Sequence, residues 1–230
     1  KGCFMNRWSL AGRLIIPIML LAGVLSSPAV ADDEGDLCGA FTDGKVEQSV
    51  LATMPNAAEQ GFLYRIQSST SSVGFCVDSA VKRVEGVFTD FRGGMALDNP
   101  GSHDGQVLVA VKSASLETND QLIGGLIKSS QFFDVENFPD ILFVSKGFEW
   151  TSAKSALMKG DLTLHGITRA VTFTVELQEE SAAGNNGVLV KASTRLQRSD
   201  FGMDGLSSLV SDTVQLCMTV RANRYSAGGV

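Results

Sequence analysis

The run Leu157-Met158-Lys159-Gly160-Asp161-Leu162-Thr163-Leu164-His165-Gly166-Ile167-Thr168-Arg169-Ala170-Val171-Thr172-Phe173-Thr174-Val175-Glu176-Leu177 decides the fold class. After the His165-Gly166 pair, Val171, Phe173, Val175 and Leu177 return at every second position, with Thr172, Thr174 and Glu176 in the other phase. Period two is the signature of a strand with one face in an apolar medium and the other in water. The segment from Leu157 to Leu164 reads as the preceding strand, and His165-Gly166 as a tight connection between the two.

The same period extends outward in both directions. Upstream, Phe75, Val77 and Val81 alternate with polar or small residues; Val84-Glu85-Gly86-Val87-Phe88 follows; then come Phe91, Gly93, Met95 and Leu97, ended by Asp98-Asn99-Pro100-Gly101. Val107, Val109 and Val111 form the next run, and Ile141, Phe143 and Ser145 another. Downstream, Val188, Val190, Ala192, Thr194 and Leu196 oppose Lys191 and Arg195, and Val214, Leu216, Met218 and Val220 finish the series. Helical periodicity occurs in two places. Asp120 is positioned to cap a short helix carrying Leu122, Ile123, Leu126 and Ile127, and residues 40–60 carry a helical stripe interrupted by Pro55. Without helix-sized crossovers between the strands, a parallel α/β fold is excluded. Roughly eight strands then form an all-β sandwich or barrel, and an eight-stranded antiparallel barrel has room for a side-chain plug or one slender ligand.

Composition limits the chemistry. The chain has 230 residues, 44% hydrophobic, with 19 basic and 25 acidic side chains and a formal charge of −6. The basic residues are scattered, which argues against nucleic acid as a partner. Two histidines and four cysteines leave little material for a metal cage or a nucleophilic triad. We therefore expect no catalytic residue, no metal site and no cofactor, and a binding function rather than an enzyme.

Residues 1–31 read as a cleavable signal peptide: basic Lys1, Arg7 and Arg13, an apolar run from Leu14 to Leu25, and Ala29-Val30-Ala31 ahead of Asp32. Twelve apolar residues span roughly 18 Å as a helix, short of the ~30 Å hydrocarbon core, so the processed chain is not expected to span a membrane. Loss of three basic residues takes the formal charge from −6 to −9. Cys38, Cys76 and Cys217 remain, in a compartment that permits disulfides. A closed sheet would bring Cys76 in the first strand beside Cys217 in the last, which favours a pair involving one of them over three free thiols. The expected division is an accessory leader over 32–61, the barrel over 62–224 and a flexible tail over 225–230.

Particular blocks resemble a known family. Ser129-Ser130-Gln131-Phe132-Phe133-Asp134, followed by Phe138-Pro139-Asp140-Ile141-Leu142-Phe143-Val144-Ser145, is similar to the "s-x-x-F-F-D … Y/F-P-x-x-x-F-x-S" signature of the YceI-like proteins, a periplasmic polyisoprenoid-binding family. Gly160 to Arg169 is similar to its "G-x-L-T-x-H-G-x-T-R" hairpin, and Arg198-Ser199-Asp200-Phe201-Gly202-Met203 to its "R-S-D-F-G-M" turn. The chain departs from the family at Ile123-Gly124-Gly125-Leu126-Ile127, where many members carry "R-D-x-H-L", and at Ser79, where a histidine is common.

The resemblance implies an eight-stranded, lipocalin-like barrel in the periplasm whose apolar tunnel holds a long isoprenoid chain, such as that of a quinone or polyprenyl phosphate, or another apolar lipid. Set on the strand pattern, the candidate lining is Phe75, Val77, Phe88, Met95, Leu97, Val109, Phe143, Leu162, Leu164, Phe173, Leu216 and Met218. Leu122, Leu126, Phe132 and Phe133 are assigned to one mouth. The missing polar positions leave no evident anchor for a head group. His165 and the Arg198-Ser199-Asp200 group are expected to fix turns by hydrogen bonds, Gly202 to take a positive φ, and His103 to be solvated. A homodimer is compatible with this reading, and the alternative function is a structural or interaction module of the cell envelope with a filled barrel.

Overall fold

The alternating residues do form strands. The structure, a computed structural model, describes residues 48–98, 104–178 and 187–225, with side chains from residue 52. The expected signal peptide, residues 32–47 with Cys38, residues 99–103 with His103, residues 179–186 and residues 226–230 lie outside the described part.

Helix α1 (Gln48–Gln60) leads into β1 (Leu63–Ile66), β2 (Ser72–Ser79), β3 (Arg83–Phe88), β4 (Phe91–Leu97), β5 (Gly105–Lys112) and β6 (Leu116–Thr118). Helix α2 (Gln121–Lys128) precedes β7 (Asp140–Trp150), β8 (Ser155–Leu164), β9 (Ile167–Gln178), β10 (Gly187–Gln197) and β11 (Val210–Arg224). All the pairings are antiparallel.

Three pairs of these segments act as single bent strands. The segments β1 and β2 both lie along β11, with Ile66 opposite Ala222 and Ser72 opposite Thr219. In the same way β4 and β3 run beside β1 and β2, and β5 and β6 beside β4 and β3. The result is an eight-stranded up-and-down meander closed by β11 against its first strand. Sequence reading missed β1, which is four residues long and has no alternation of its own, yet this segment closes the ring.

Strand β3 shows how the period becomes a wall: Val84, Gly86 and Phe88 are buried, while Arg83, Glu85 and Val87 are exposed. On β8, β9 and β10 the exposed outward positions include Lys159, Thr174, Glu176, Lys191 and Arg195, the reverse of a membrane-spanning barrel, whose outer band is apolar. No helix among the described residues is long and apolar enough to cross a membrane.

The outer face departs from the expected pattern in one place. Ala96, Leu108, Ala110 and Leu142 belong to the outward phase of β4, β5 and β7, yet all are buried because Met54, Ala57 and Ala58 of α1 lie over them. The helix continues through Pro55 rather than breaking there, and residues packed on the barrel flank the proline on both sides. Part of the expected accessory leader is therefore built into the barrel wall.

Candidate functional site

Every strand ladder sends its inward phase to the barrel axis, where an apolar cavity of about 360 Å³ runs between the strands. Strand β10 contributes Val188, Val190, Ala192 and Leu196 to its wall. Eight residue steps of strand, at about 3.4 Å each and tilted ~40°, correspond to roughly 20 Å along the axis. The cavity is therefore elongated. Tyr64, Trp150 and Leu177 belong to one end, and Ile123, Leu126, Phe133 and Leu206 to the other.

Of the sixteen candidate lining residues, fourteen stand on the cavity: Phe75, Val77, Phe88, Met95, Val109, Leu126, Phe132, Phe133, Phe143, Leu162, Leu164, Phe173, Leu216 and Met218. Two do not. Leu122 is 88% exposed, because the short α2 turns only a narrow face inward and Leu122 lies on its outer flank. Leu97 shares the phase of Met95 but is the last residue of β4, beyond the cavity wall. Sequence reasoning also left out part of the lining. Val73, Val107, Val111 and Val220 were findable from the same period, whereas Arg198, Met203 and Leu206 come from an aperiodic turn.

The α2 end is organised by local chemistry. The Asp120 carboxylate accepts from the Leu122 and Ile123 amides at 3.1 and 3.3 Å and starts the helix, as the sequence suggested. Lys82 donates to the same carboxylate at 3.0 Å; this bond, followed by the Ile123 amide, holds Asp120 below the ordinary carboxylate range. Ile127 is buried under the helix, and the Phe133 amide donates to its carbonyl at 3.0 Å. The Phe133 ring then packs against Phe75 and Phe88, with centroids 6.0 and 5.8 Å apart. Phe143 and Phe173 form a second edge-to-face pair at 5.2 Å. These rings shape the cavity and leave it open between them.

Among the described residues Arg198 is the one charged side chain on the wall, and it is only 4% exposed. Its guanidinium donates to the carbonyls of Ser211 at 3.1 Å, Val210 at 3.1 Å and Met203, and it lies over the Phe132 ring at 5.7 Å. A buried cation is tolerated when its donors are occupied, and here they tie the turn to β11. Ser199 donates its amide and hydroxyl to Asp212 at 2.9 and 2.7 Å. These two bonds, the hydroxyl one foremost, hold the Asp212 carboxyl below its ordinary range. Gly202 has φ 70°, as expected for the turn.

The remaining polar candidates also stabilise backbone. The His165 ring bonds the Phe201 carbonyl through Nδ1 at 3.0 Å and packs on Phe138 at 4.6 Å. Both His165 and Gly166 have positive φ, 52° and 71°, the backbone of a two-residue hairpin turn. Ser79 donates its hydroxyl to the Lys82 carbonyl at 2.6 Å and closes the β2–β3 turn. In the "F-x-S" element, the buried Ser145 hydroxyl accepts from the Val107 amide at 2.7 Å beside the bulge in β7. Among the described residues no cluster of three or more metal-ligating side chains occurs.

Comparison with known proteins agrees with this architecture. Residues 64–222 match the family model described as YceI-like domain. A UPF0312 protein of Pseudomonas putida strain F1 is 34% identical over 139 residues, covering 60% of this chain and 72% of the relative. Another from Pseudomonas syringae pv. tomato is 32% identical over 143 residues, covering 59% and 71%. Among solved structures, BcnA of Burkholderia cenocepacia superposes with a TM-score of 0.63 at 20% identity, covering 69% of this chain and 99% of that one. The Campylobacter jejuni YCEI protein gives 0.55 at 25% identity, covering 60% and 83%. A polyisoprenoid binding domain from Saccharophagus degradans, implicated in plant cell wall breakdown, gives 0.54 at 14% identity, covering 70% and 98%. With a match over the closed barrel from β1 to β11, this protein belongs to the YceI-like domain family.

Proposed function

We propose that the barrel binds a long-chain isoprenoid-type lipid, a quinone or polyprenyl chain, and carries or buffers it in the periplasm without catalysing a reaction. The observation that carries this reading is the elongated cavity with an almost wholly aliphatic and aromatic wall. Its shape suits a chain rather than a compact ligand. Each five-carbon unit buried there contributes about 4 kcal/mol of gross transfer free energy at ~0.8 per carbon. Ordering of the flexible chain offsets much of this, leaving micromolar or tighter binding without a polar anchor.

Two further features support the reading. Leu126 and Leu206 line the cavity while remaining 37% and 39% exposed, so the α2 end offers an apolar entrance. A fold neighbour is described as a polyisoprenoid binding domain. The periplasmic location rests on the signal-like segment at residues 1–31.

Titrating the purified full chain with prenyl alcohols of increasing length tests the binding. Affinity is expected to rise with length until the cavity is filled. Absence of uptake at every length, or equal affinity for the shortest and longest chains, would overturn it. Solvent extraction of the protein from its host, followed by mass spectrometry, then identifies the resident lipid.

A further inference from the structure

The outer face of the seam where β11 meets β2 carries chemistry that the cavity does not use. Cys76 stands opposite Gln215 and Cys217 opposite Gly74, so the two thiols occupy diagonal positions on the same outward face. Gly74 has no side chain to separate them. Both cysteines are free; Cys217 is exposed and Cys76 partly so. The Arg83 guanidinium of β3 lies against Cys76 Sγ through Nη2 and is itself positioned by Asp78 at 3.2 Å and Glu85 at 3.6 Å. The Cys76 thiol also reaches Gln215 Oε1 at 4.0 Å.

The two sulfurs differ in surroundings. Burial first, and the neighbouring Cys76 second, push the Cys217 thiol up. Cys76 has the Arg83 guanidinium against its sulfur. A partly exposed thiol with a guanidinium on one side and a second thiol on the other is the pattern of a residue oxidised by peroxide and resolved by its neighbour.

We propose that Cys76 and Cys217 form a peroxide-responsive thiol pair, with Cys76 the attacked sulfur, Arg83 its positioning residue and Cys217 the resolving thiol. The Cys76 thiolate attacks one oxygen of a hydroperoxide. The O–O bond breaks, the second oxygen leaves as an alcohol or water after taking a proton, and Cys76 becomes a sulfenic acid. The Cys217 sulfur then attacks Cys76, an S–S bond forms, and the sulfenic hydroxyl leaves with the Cys217 proton as water. In sum, two thiols and one hydroperoxide give one disulfide, one alcohol or water, and one water; the sulfurs lose two electrons and the peroxide gains them.

Diagonal residues in antiparallel sheets lie about 7–8 Å apart at Cα, against the usual 4.4–6.8 Å for disulfides, so the strands must draw together by about an ångström. The register of β11 against β2 shifts between Val210 and Val214, just before the paired stretch that carries both cysteines. A strained bond of this kind is readily reduced. Because Phe75 and Leu216 alternate with the two cysteines and line the cavity, its formation bears on the barrel wall.

The test uses the full chain with Cys3→Ser and Cys38→Ser, reduced and then exposed to hydrogen peroxide. Peptide mapping is expected to show an intramolecular link between residues 76 and 217, lost again with dithiothreitol. With Cys217→Ser added, dimedone is expected to label Cys76 as the sulfenic acid. Arg83→Gln should slow oxidation several-fold and Arg83→Lys restore part of the rate, with circular dichroism confirming the folded barrel in each. A Cys76 that oxidises no faster than in the guanidinium-unfolded chain, or that links only between molecules, overturns the proposal.

Discussion

Gly160 of β8 faces Phe143 of β7 so closely that a Cβ at position 160 would stand 2.6 Å from the ring Cζ and 2.5 Å from the Val144 carbonyl oxygen. The glycine of the "G-x-L-T" block therefore creates the space in which the Phe143 ring lies against Phe173. With Gly160→Val the ring must turn into the cavity, and the β7–β8 pairing must shift at the Val144 carbonyl. We expect a loss of about 1–3 kcal/mol from overpacking and a shift of the length optimum toward shorter prenyl chains. Urea unfolding and the prenyl alcohol titration measure the two effects; an unchanged length optimum would mean that Phe143 does not bound the ligand.

The entrance at α2 is checked by kinetics. Introducing Leu126→Asp together with Leu206→Asp places charges where the cavity meets the surface. Transfer of a fluorescent prenyl lipid from phosphatidylcholine vesicles should slow about tenfold. Val188→Asp, on the opposite end, should leave the rate within twofold; the reverse ranking would place the entrance there.

Arg198 serves the wall rather than a head group. Replacing it with Leu strands three carbonyls that now accept from one guanidinium, at an expected cost of about 3 kcal/mol or more. Arg198→Lys should recover only part, because an ammonium lacks the planar fork. Urea midpoints give the comparison, and a full rescue by Lys would show that charge alone matters.

Stability should fall in acid through Asp212 and Asp120. Both have folded-state pKa values below the ordinary carboxylate value, Asp212 through Ser199 and Asp120 chiefly through Lys82. Their contribution is fully present above about pH 4 and is lost as the pH falls through the depressed folded values. In Ser199→Ala and Lys82→Met, the difference between urea midpoints at pH 7 and pH 3 should shrink. An unchanged difference would remove these carboxylates from the acid response.

Helix α1 should contribute stability without touching the ligand. Met54 is 2% exposed and sits over Ala96, Leu108 and Ala110 outside the barrel. Met54→Ala should cost about 2–3 kcal/mol, while prenyl alcohol affinity stays within twofold. A large affinity loss in the folded variant would show that the outer layer sets the cavity shape.

Much of the barrel was legible in the sequence because a period of two has a single physical meaning when one face is apolar. The period of two places Phe173, like Leu216 and Met218, inward, and all three line the cavity. The capping of α2 by Asp120 and the positive φ of Gly202 were equally local, set by side chain and backbone within a few residues. The period failed where the surroundings rather than the strand decide. Leu122 has a lining residue's chemistry but lies on the wrong flank of a short helix, and Leu97 lies past the end of the wall.

By itself the sequence determined the alternating strands, their inward phase and the tight turns, since these follow from side-chain alternation and local backbone preference. Tertiary structure alone decided that β1 closes the ring, that α1 covers Leu108 and Leu142 on the outside, and that Arg198 reaches the cavity wall. It also decided that the inward aromatics leave a continuous space. Volume along a barrel axis depends on how rings from different strands share it, and Gly160 beside Phe143 is a relationship no single strand contains.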